Sequence, residues 1–438
     1  MNNFYKIFPV LFILLANNAF ANNIELIGMY KEAMKESINK GDYDKAEEIQ
    51  KRISALDKES SGNMLIATNN NLRKIVEQEV SKLGNNANLN HIDVSRVSNM
   101  SQLFMQQPFN GDISKWDVSN VKNMEDMFNK SSFNNDISGW NVSNVENMES
   151  MFASSLFNGD ISNWDVANVK NMSSMFSGTE EFKGNISNWN VANVENMDSM
   201  FTWSAFDGDL SNWNVSNVKD MRRMFSGAKK FNSDVSKWNV SNVRNMAAMF
   251  SGAKKFNSDI SSWNVSNVKD MKTMFRLCAF NKNISSWNVA NVENMDSMFE
   301  WSVFDGEVSK WDVSNVKNMK GMFYKSDFDG DISSWNVSNV ENMDSMFSGA
   351  KNFKSDISKW NVSNVENMSS MFYNTKKFNN DISKWDVSNV KNMKGMFAKS
   401  IFDKNISNWN MPETAKTQGM FNNTKIIKSN KPSILKNK

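Results

Sequence analysis

The chain has 438 residues and a formal net charge of +2, with 50 Lys and Arg against 48 Asp and Glu, one histidine and one cysteine. A lone cysteine, Cys278, excludes an intramolecular disulfide, and with a single histidine, His91, the composition argues against a zinc site and against Cys/His or Ser/His/Asp catalysis. A polyanion partner is not implied by the near-neutral balance, and no nucleic acid is expected.

At the N-terminus, Lys6 precedes an apolar run from Ile7 to Ala16, followed by Asn17, Asn18 and then Ala19-Phe20-Ala21. A basic start, a short apolar stretch and an A-x-A site make residues 1–21 a signal peptide, cleaved to leave Asn22 first. The run is about half of what a bilayer span needs, so no transmembrane anchor is expected in the mature chain. No cysteine follows the site, which argues against lipid attachment, and no sorting motif is visible near the C-terminus.

Residues 22–90 are expected to be helical. Ile24, Ile27, Tyr30 and Met34 form one stripe that ends at the turn Asn39-Lys40-Gly41, and Tyr43, Ala46, Ile49, Ile53 and Leu56 continue at helical spacing. The segment suits a helical hairpin that caps the repeats beginning near residue 91; its turn, Gly41 to Ala46, resembles that of one tetratricopeptide unit. A further helix is expected over 69–83, ended by Gly84.

From 91 to 424 the chain is a tandem repeat. Of its 15 tryptophans, all but Trp203 and Trp301 recur at steps of 24 or 25 residues, from Trp116 to Trp409. One unit runs from Phe109 through Asn110-Gly111-Asp112, Ile113, Trp116, Val118, Val121, Met124 and Met127 to Phe128, then a variable loop. The five longer units carry their extra residue in that loop, as in Phe225-Ser226-Gly227-Ala228-Lys229-Lys230-Phe231. The segment Ile92 to Phe104 is a degenerate first copy. Residues 425–438, with lysines and no acids, form a basic flexible tail.

Within a unit, Trp116 and Val118 alternate with Lys115, Asp117 and Ser119, which predicts a short half-buried strand. Val121, Met124, Met127 and Phe128 follow at steps of three and four, which predicts one or two helical turns N-capped by Ser119 or Asn120. A unit of this kind buries nothing alone and must stack on its copies. The spacing Ile113-x-x-Trp116-x-Val118-x-x-Val121 matches the apolar frame of a leucine-rich repeat, with its asparagine displaced to Asn120. The expected fold is therefore an α/β repeat solenoid, a leucine-rich-repeat-like stack of about thirteen strand–helix units roughly 60 Å long, preceded by a short all-helical segment.

The string Trp116-Asp117-Val118-Ser119-Asn120-Val121-x-Asn123-Met124-x-x-Met127-Phe128, repeated at Trp335 to Phe347 and Trp385 to Phe397, resembles the bacterial surface-protein repeat of the BspA-like leucine-rich type. That resemblance covers about three quarters of the chain. It implies an exported surface or secreted protein, of a kind sometimes implicated in adhesion, although the chain departs from it in lacking an evident wall-sorting signal or lipobox.

The repeated tryptophans are expected to be core, each indole N–H needing one internal acceptor. The methionine pairs are expected to be core as well, and the columns of Asn120 and Asn123 an internal ladder serving the bends. The acidic turns Asp207-Gly208-Asp209, Asp305-Gly306-Glu307 and Asp329-Gly330-Asp331 are ordinary turns in this reading, since sibling copies have too few oxygens for calcium. Trp203 and Trp301 stand apart: they occupy matching loop positions four units apart and are candidate partner contacts, the alternative being a lid over neighbouring rungs. Neither metal, cofactor nor catalytic residue is expected. The chain is expected to act as an exported, non-enzymatic interaction scaffold, at the cell surface or secreted, with a protein partner or a host or bacterial surface component. A glycan-binding envelope protein and a structural spacer in the periplasm are the alternatives.

Overall fold

The computed structural model describes residues 22–61 and 64–435; residues 1–21, expected to be a signal peptide, lie outside them. The chain forms two compact units, one of residues up to Val97 together with Asn110–Asn120, the other of Ser98–Phe109 together with 121 onward.

In the first unit, helices α1 (Asn22–Asn39) and α2 (Tyr43–Ser61) pair as a hairpin. Ile49 and Ile53 are buried against Tyr30 and Met34, as expected from spacing, and against Ala33; the side chains of Ile24, Ile27 and Leu56, expected on the same stripes, lie outside the described ones. Gly41, at φ 71°, makes the left-handed turn between the helices. Tyr43 is mostly exposed, because it starts α2 ahead of the contact face. Helix α3 (Leu72–Leu83) buries Leu72 and Val76 and stops at Gly84.

Contrary to the helical expectation, residues 22–90 are not all helix. Strand β1 (Leu65–Ile66) pairs in parallel with β2 (Ile92–Asp93), with Leu65 N–H to His91 O at 3.0 Å and Ala67 N–H to Asp93 O at 2.8 Å. Within this unit the coil-like packing also begins before residue 91, the expected boundary of the repeats. Ala87, Leu89, Ile92, Val94 and Val97 are buried, and Leu89 N–H donates to Asp112 O at 2.9 Å. Ile92 stands where later copies have tryptophan, and Trp116 Nε1 reaches back to Leu89 O at 3.0 Å.

The second unit is a stack of near-identical coils, and its hydrogen bonds are not those of a strand–helix repeat. One coil shows the scheme. Met221, Arg223, Phe225 and Gly227 donate their N–H groups to the carbonyls of Asn245, Ala247, Met249 and Ser251 in the next coil, at 3.1, 2.8, 2.9 and 2.7 Å. The intervening amides close turns inside the coil: Met224 to Met221 O, Ser226 to Arg223 O and Ala228 to Phe225 O. Arg223 at φ 55° and Gly227 at φ 70° occupy the third positions of two successive turns, as a type II turn requires. An α-helix is impossible there, because alternate amides point out of the coil and every fourth residue is left-handed. The helical turns expected at Val121–Phe128 and its copies are thus turns that carry the inter-coil bonds; apolar steps of three and four suit both.

The strand expected at Trp116–Val118 is absent too. Its alternation of buried and exposed residues is present, but Trp213 N–H turns back to Leu210 O at 3.1 Å and Val218 N–H to Val215 O at 3.0 Å. Parallel pairing survives only as single bridges down one column, from Asn99↔Asn123 to Asn392↔Lys416. The coil is therefore a ring of turns around an aromatic core.

That core explains why the repeat is so uniform. Phe, Ile or Val, Trp, Val and Met at the repeat positions are almost completely buried in each coil. Phe201, Phe225 and Phe250 stack with ring centroids 5.6 and 5.8 Å apart, and Trp238 lies parallel to Trp263 at 6.4 Å. A ring of different size would disturb both neighbours. Among near-identical coils, register is marked by charge: Lys170 pairs with Glu146 at 2.8 Å, Lys219 with Glu195 at 2.5 Å and Lys391 with Glu366 at 2.7 Å.

The basic C-terminal residues do not form the expected free tail. Lys425–Leu435 fold over the last coil in two short 3-10 turns, Lys428–Asn430 and Ser433–Leu435. Ile426 is buried, Asn430 O accepts from Ile406 N–H at 2.9 Å, and Lys431 Nζ lies 5.4 Å from the Phe421 ring centroid. A terminal coil with an apolar top needs a cover, which outweighs the solvation of these lysines.

Candidate functional site

Each coil spends its polar groups on itself. In the coil of Trp213, Asp209, Asn214 and Asp220 each accept the N–H two residues ahead, at 2.9, 3.1 and 2.9 Å. Trp213 Nε1 donates to Ile186 O at 3.0 Å and Asn217 Nδ2 to Ala192 O at 2.8 Å, both in the preceding coil. The tryptophan column is thus core with its indole satisfied, as expected. The Asn217 column (equivalent to Asn120) bridges coils from the exposed side, whereas the column of Asn123 caps its own turn through Glu125 N–H at 3.0 Å. Methionines of both columns are buried.

The acidic turns are turns. Asp209, Asp234 and Asp331 have their carboxyls held below the usual range, first by the backbone N–H of Ser211, Ser236 and Ser333. Among the described residues, no three or more His, Cys, Asp or Glu side chains are grouped to hold a metal ion. Cys278 is buried with Sγ 3.3 Å from Ala253 O, and burial pushes its thiol up to about 12. It has the environment of a small core residue, not of a nucleophile.

Among the described residues, depressions lie on the helical hairpin beside Met34, Ile38 and Ile53, beside Lys359, Trp360 and Lys384, and on the face with the charge ladder. On the face with the charge ladder, a depression of about 260 Å³ is lined by Asn168, Lys170, Asn193, Glu195, Asn217 and Lys219. Its lysines are already paired with Glu146 and Glu195, so the face is electrically self-satisfied. The loop edge is different, and it carries both candidate residues.

Trp203 and Trp301 share the left-handed column at the start of the loop, with φ 55° and 54°. Sibling coils place Gly178, Gly227, Gly252 and Gly349 there, or non-glycine residues such as Lys130, Ser154, Leu277, Lys325 and Asn374, all with positive φ. The Trp203 side chain is 62% exposed and that of Trp301 47%. Trp203 lies flat on the next coil: a Cβ on Gly227 would come within 2.5 to 3.0 Å of three ring atoms, Cδ2, Cε3 and Cε2. One face of the indole is thereby fixed and the other left open. Trp301 meets Tyr324 edge-on at 6.3 Å, with Lys325 Nζ 4.2 Å from its ring centroid. Each ring covers part of a single neighbouring coil, and both stay open to solvent.

A family model described as a Mycoplasma protein of unknown function, DUF285, matches the chain in overlapping segments, at residues 70–169, 153–236, 202–303, 233–328, 262–355, 300–401 and 325–434. The chain belongs to the DUF285 family. No curated protein and no solved structure matches it. The DUF285 segments begin at residue 70, just ahead of helix α3. Within this DUF285 stack the frame residues are shared by the coils between the degenerate first copy and the last, and what differs among them is chiefly the loop edge. Sequence spacing picked out Trp203 and Trp301 there; it missed that both sit on left-handed backbone. The signal was present, since glycine recurs in the same column at Gly178, Gly227, Gly252 and Gly349. Spacing also missed the exposed Leu277 and Val303, which lie on the same edge.

Proposed function

We propose that this chain is an exported, non-enzymatic interaction scaffold whose loop edge, marked by Trp203 and Trp301, contacts a component of a cell surface. One observation carries the reading: two large apolar side chains stand exposed at left-handed positions that sibling coils fill with glycine at Gly178, Gly227, Gly252 and Gly349 and mostly with polar residues elsewhere. A non-glycine residue there costs about 1 kcal/mol, and the rings recover only part of their possible burial. Aromatic residues retained in the open at such a cost fit the anchors of a binding surface. Export rests on Lys6, the apolar run Ile7 to Ala16 and the Ala19-Phe20-Ala21 site, and the likeness to BspA-like surface repeats supports it. The absence of catalysis is supported by the acids, which recur by column as turn caps instead of meeting once in a pocket.

The test is binding of the labelled full-length chain to intact source cells and to cultured animal cells. The Trp203→Gly/Trp301→Gly chain should bind at least one of these surfaces markedly less than the unchanged chain. Equal binding of the two chains to both surfaces, or no binding at all, overturns the reading.

A further inference from the structure

The overall balance of charge conceals a local excess on this edge. The hexapeptide Ser226-Gly227-Ala228-Lys229-Lys230-Phe231 is repeated in the next coil as Ser251 to Phe256. Lys229, Lys230, Lys254 and Lys255 are all exposed, and none has a carboxylate partner among the described residues. Lysines and arginines of neighbouring columns do pair, as in Arg222 with Asp198 and Arg276 with Glu300. The four free cations therefore stand together on two adjacent coils, with Lys229 Nζ 6.0 Å from the Trp203 ring centroid.

The two tryptophans bracket these coils. The column between them runs Gly227, Gly252, Leu277: the Trp203 ring covers Gly227, Gly252 leaves bare backbone, where a Cβ would meet only the Gly227 backbone at 3.6 Å, and Leu277 stands 39% exposed. Trp203 and Trp301 are four coils apart, about 19 Å at ~4.8 Å per coil. Trp203 offers a fixed, open ring face at one end, and Trp301, beside Val303, a second apolar anchor at the other.

We propose that the loop edge between Trp203 and Trp301 binds an extended anionic polysaccharide, whose sugar rings stack on the tryptophans and whose carboxylate or sulfate groups meet Lys229, Lys230, Lys254 and Lys255. This rests on the contact edge proposed above and names what it takes. Positive charge without partners selects an anion. The flat indole face suits the C–H face of a sugar ring, while the identical lysine pairs on successive coils suit a ligand whose charge repeats. A folded acidic protein fits less well: the strip is only two columns wide, against roughly 800 Å² per partner in a stable protein interface. Asp207, exposed just after Trp203, bounds the cationic stretch on that side.

The experiment measures binding of the full chain to immobilised heparin and polygalacturonate, with dextran as neutral control and poly-glutamate as acidic polypeptide. Binding to at least one of the two anionic polysaccharides is expected, with little to dextran, weakening about tenfold or more as salt rises to ~0.5 M. Two variants are compared: Lys229→Gln/Lys230→Gln/Lys254→Gln/Lys255→Gln, and Trp203→Gly/Trp301→Gly, whose glycines sibling coils already carry. Each should lose about tenfold or more in affinity while thermal unfolding stays near that of the unchanged chain. Tryptophan-independent binding means ion exchange only and overturns the proposal, as does no binding to either polysaccharide. Tryptophan-dependent preference for poly-glutamate overturns it in favour of an acidic protein partner. Failure here alongside tryptophan-dependent binding to cells leaves the contact edge standing and removes only the glycan.

Discussion

A left-handed backbone position treats glycine and tryptophan very differently, and Trp203 and Gly227 couple two such positions. On Gly227 a methyl group meets both a positive φ and the Trp203 ring. Gly227→Ala should therefore cost about 2 kcal/mol or more in a chain with Trp203, and about 1 kcal/mol in the Trp203→Gly background. Denaturant unfolding of the four chains measures the coupling, and equal costs in both backgrounds would show that the ring is not seated on Gly227. Trp203→Gly alone should change stability by less than about 1 kcal/mol, since relief of the left-handed strain offsets lost ring contact and added chain entropy. Cys278, with its thiol pushed up to about 12 by burial, should resist a thiol reagent in the native chain at neutral pH and react fully once unfolded. Rapid native labelling would falsify that placement.

At the scale of the coil, turn caps replace regular secondary structure. Asp209, Asp234, Asp259, Asp331, Asp356 and Asp381 each accept a backbone N–H from the serine two residues on, and each carboxyl is held below its usual value. A lowered native value means that the stabilisation is fully present above the unfolded value and is lost as pH falls through the native one. Melting temperature should accordingly be flat near neutrality and fall below about pH 4. Asp→Asn at several of these positions should shrink that acid-side drop, because the amide oxygen keeps the cap without titrating. An undiminished drop would place the acid sensitivity in other carboxylates. This cap was legible only in part: Asp112 and its copies marked turns by residue type, but apolar steps of three and four read equally well as helix. What decided against helix is where the alternate amides go. Met221, Arg223, Phe225 and Gly227 bond to another coil about 24 residues on, a partner that no local window of sequence contains.

For the molecule as a whole, a repeat stack is only as sound as its ends. Residues 425–435 cover the last coil through Ile426 and Asn430. Removing 425–438 should speed hydrogen exchange in the final coils, from about Trp385 onward, with little change near Trp238, since each coil contacts only its neighbours. Unchanged exchange at Ile406 would show that the segment is not a cap. Location is tested by protease treatment of intact source cells. Repeat peptides released without lysis fit the surface scaffold, whereas protection until the envelope is opened would remove adhesion as the role.

The sequence by itself determined the period, the core residues and the two unusual tryptophans, because stacking identical coils forces each core position to repeat and makes any exception visible. Tyr30, Met34, Ile49 and Ile53 likewise declared the helical hairpin through spacing alone. Only the tertiary structure decided the conformation of the coil, the early start of the coil-like packing, the fold-back of the C-terminal residues and the open face of Trp203. Each of these depends on bonds or contacts made to a neighbouring coil, and a hydrogen bond between coils leaves no local pattern when the same residues satisfy a turn, a strand or a helix equally well.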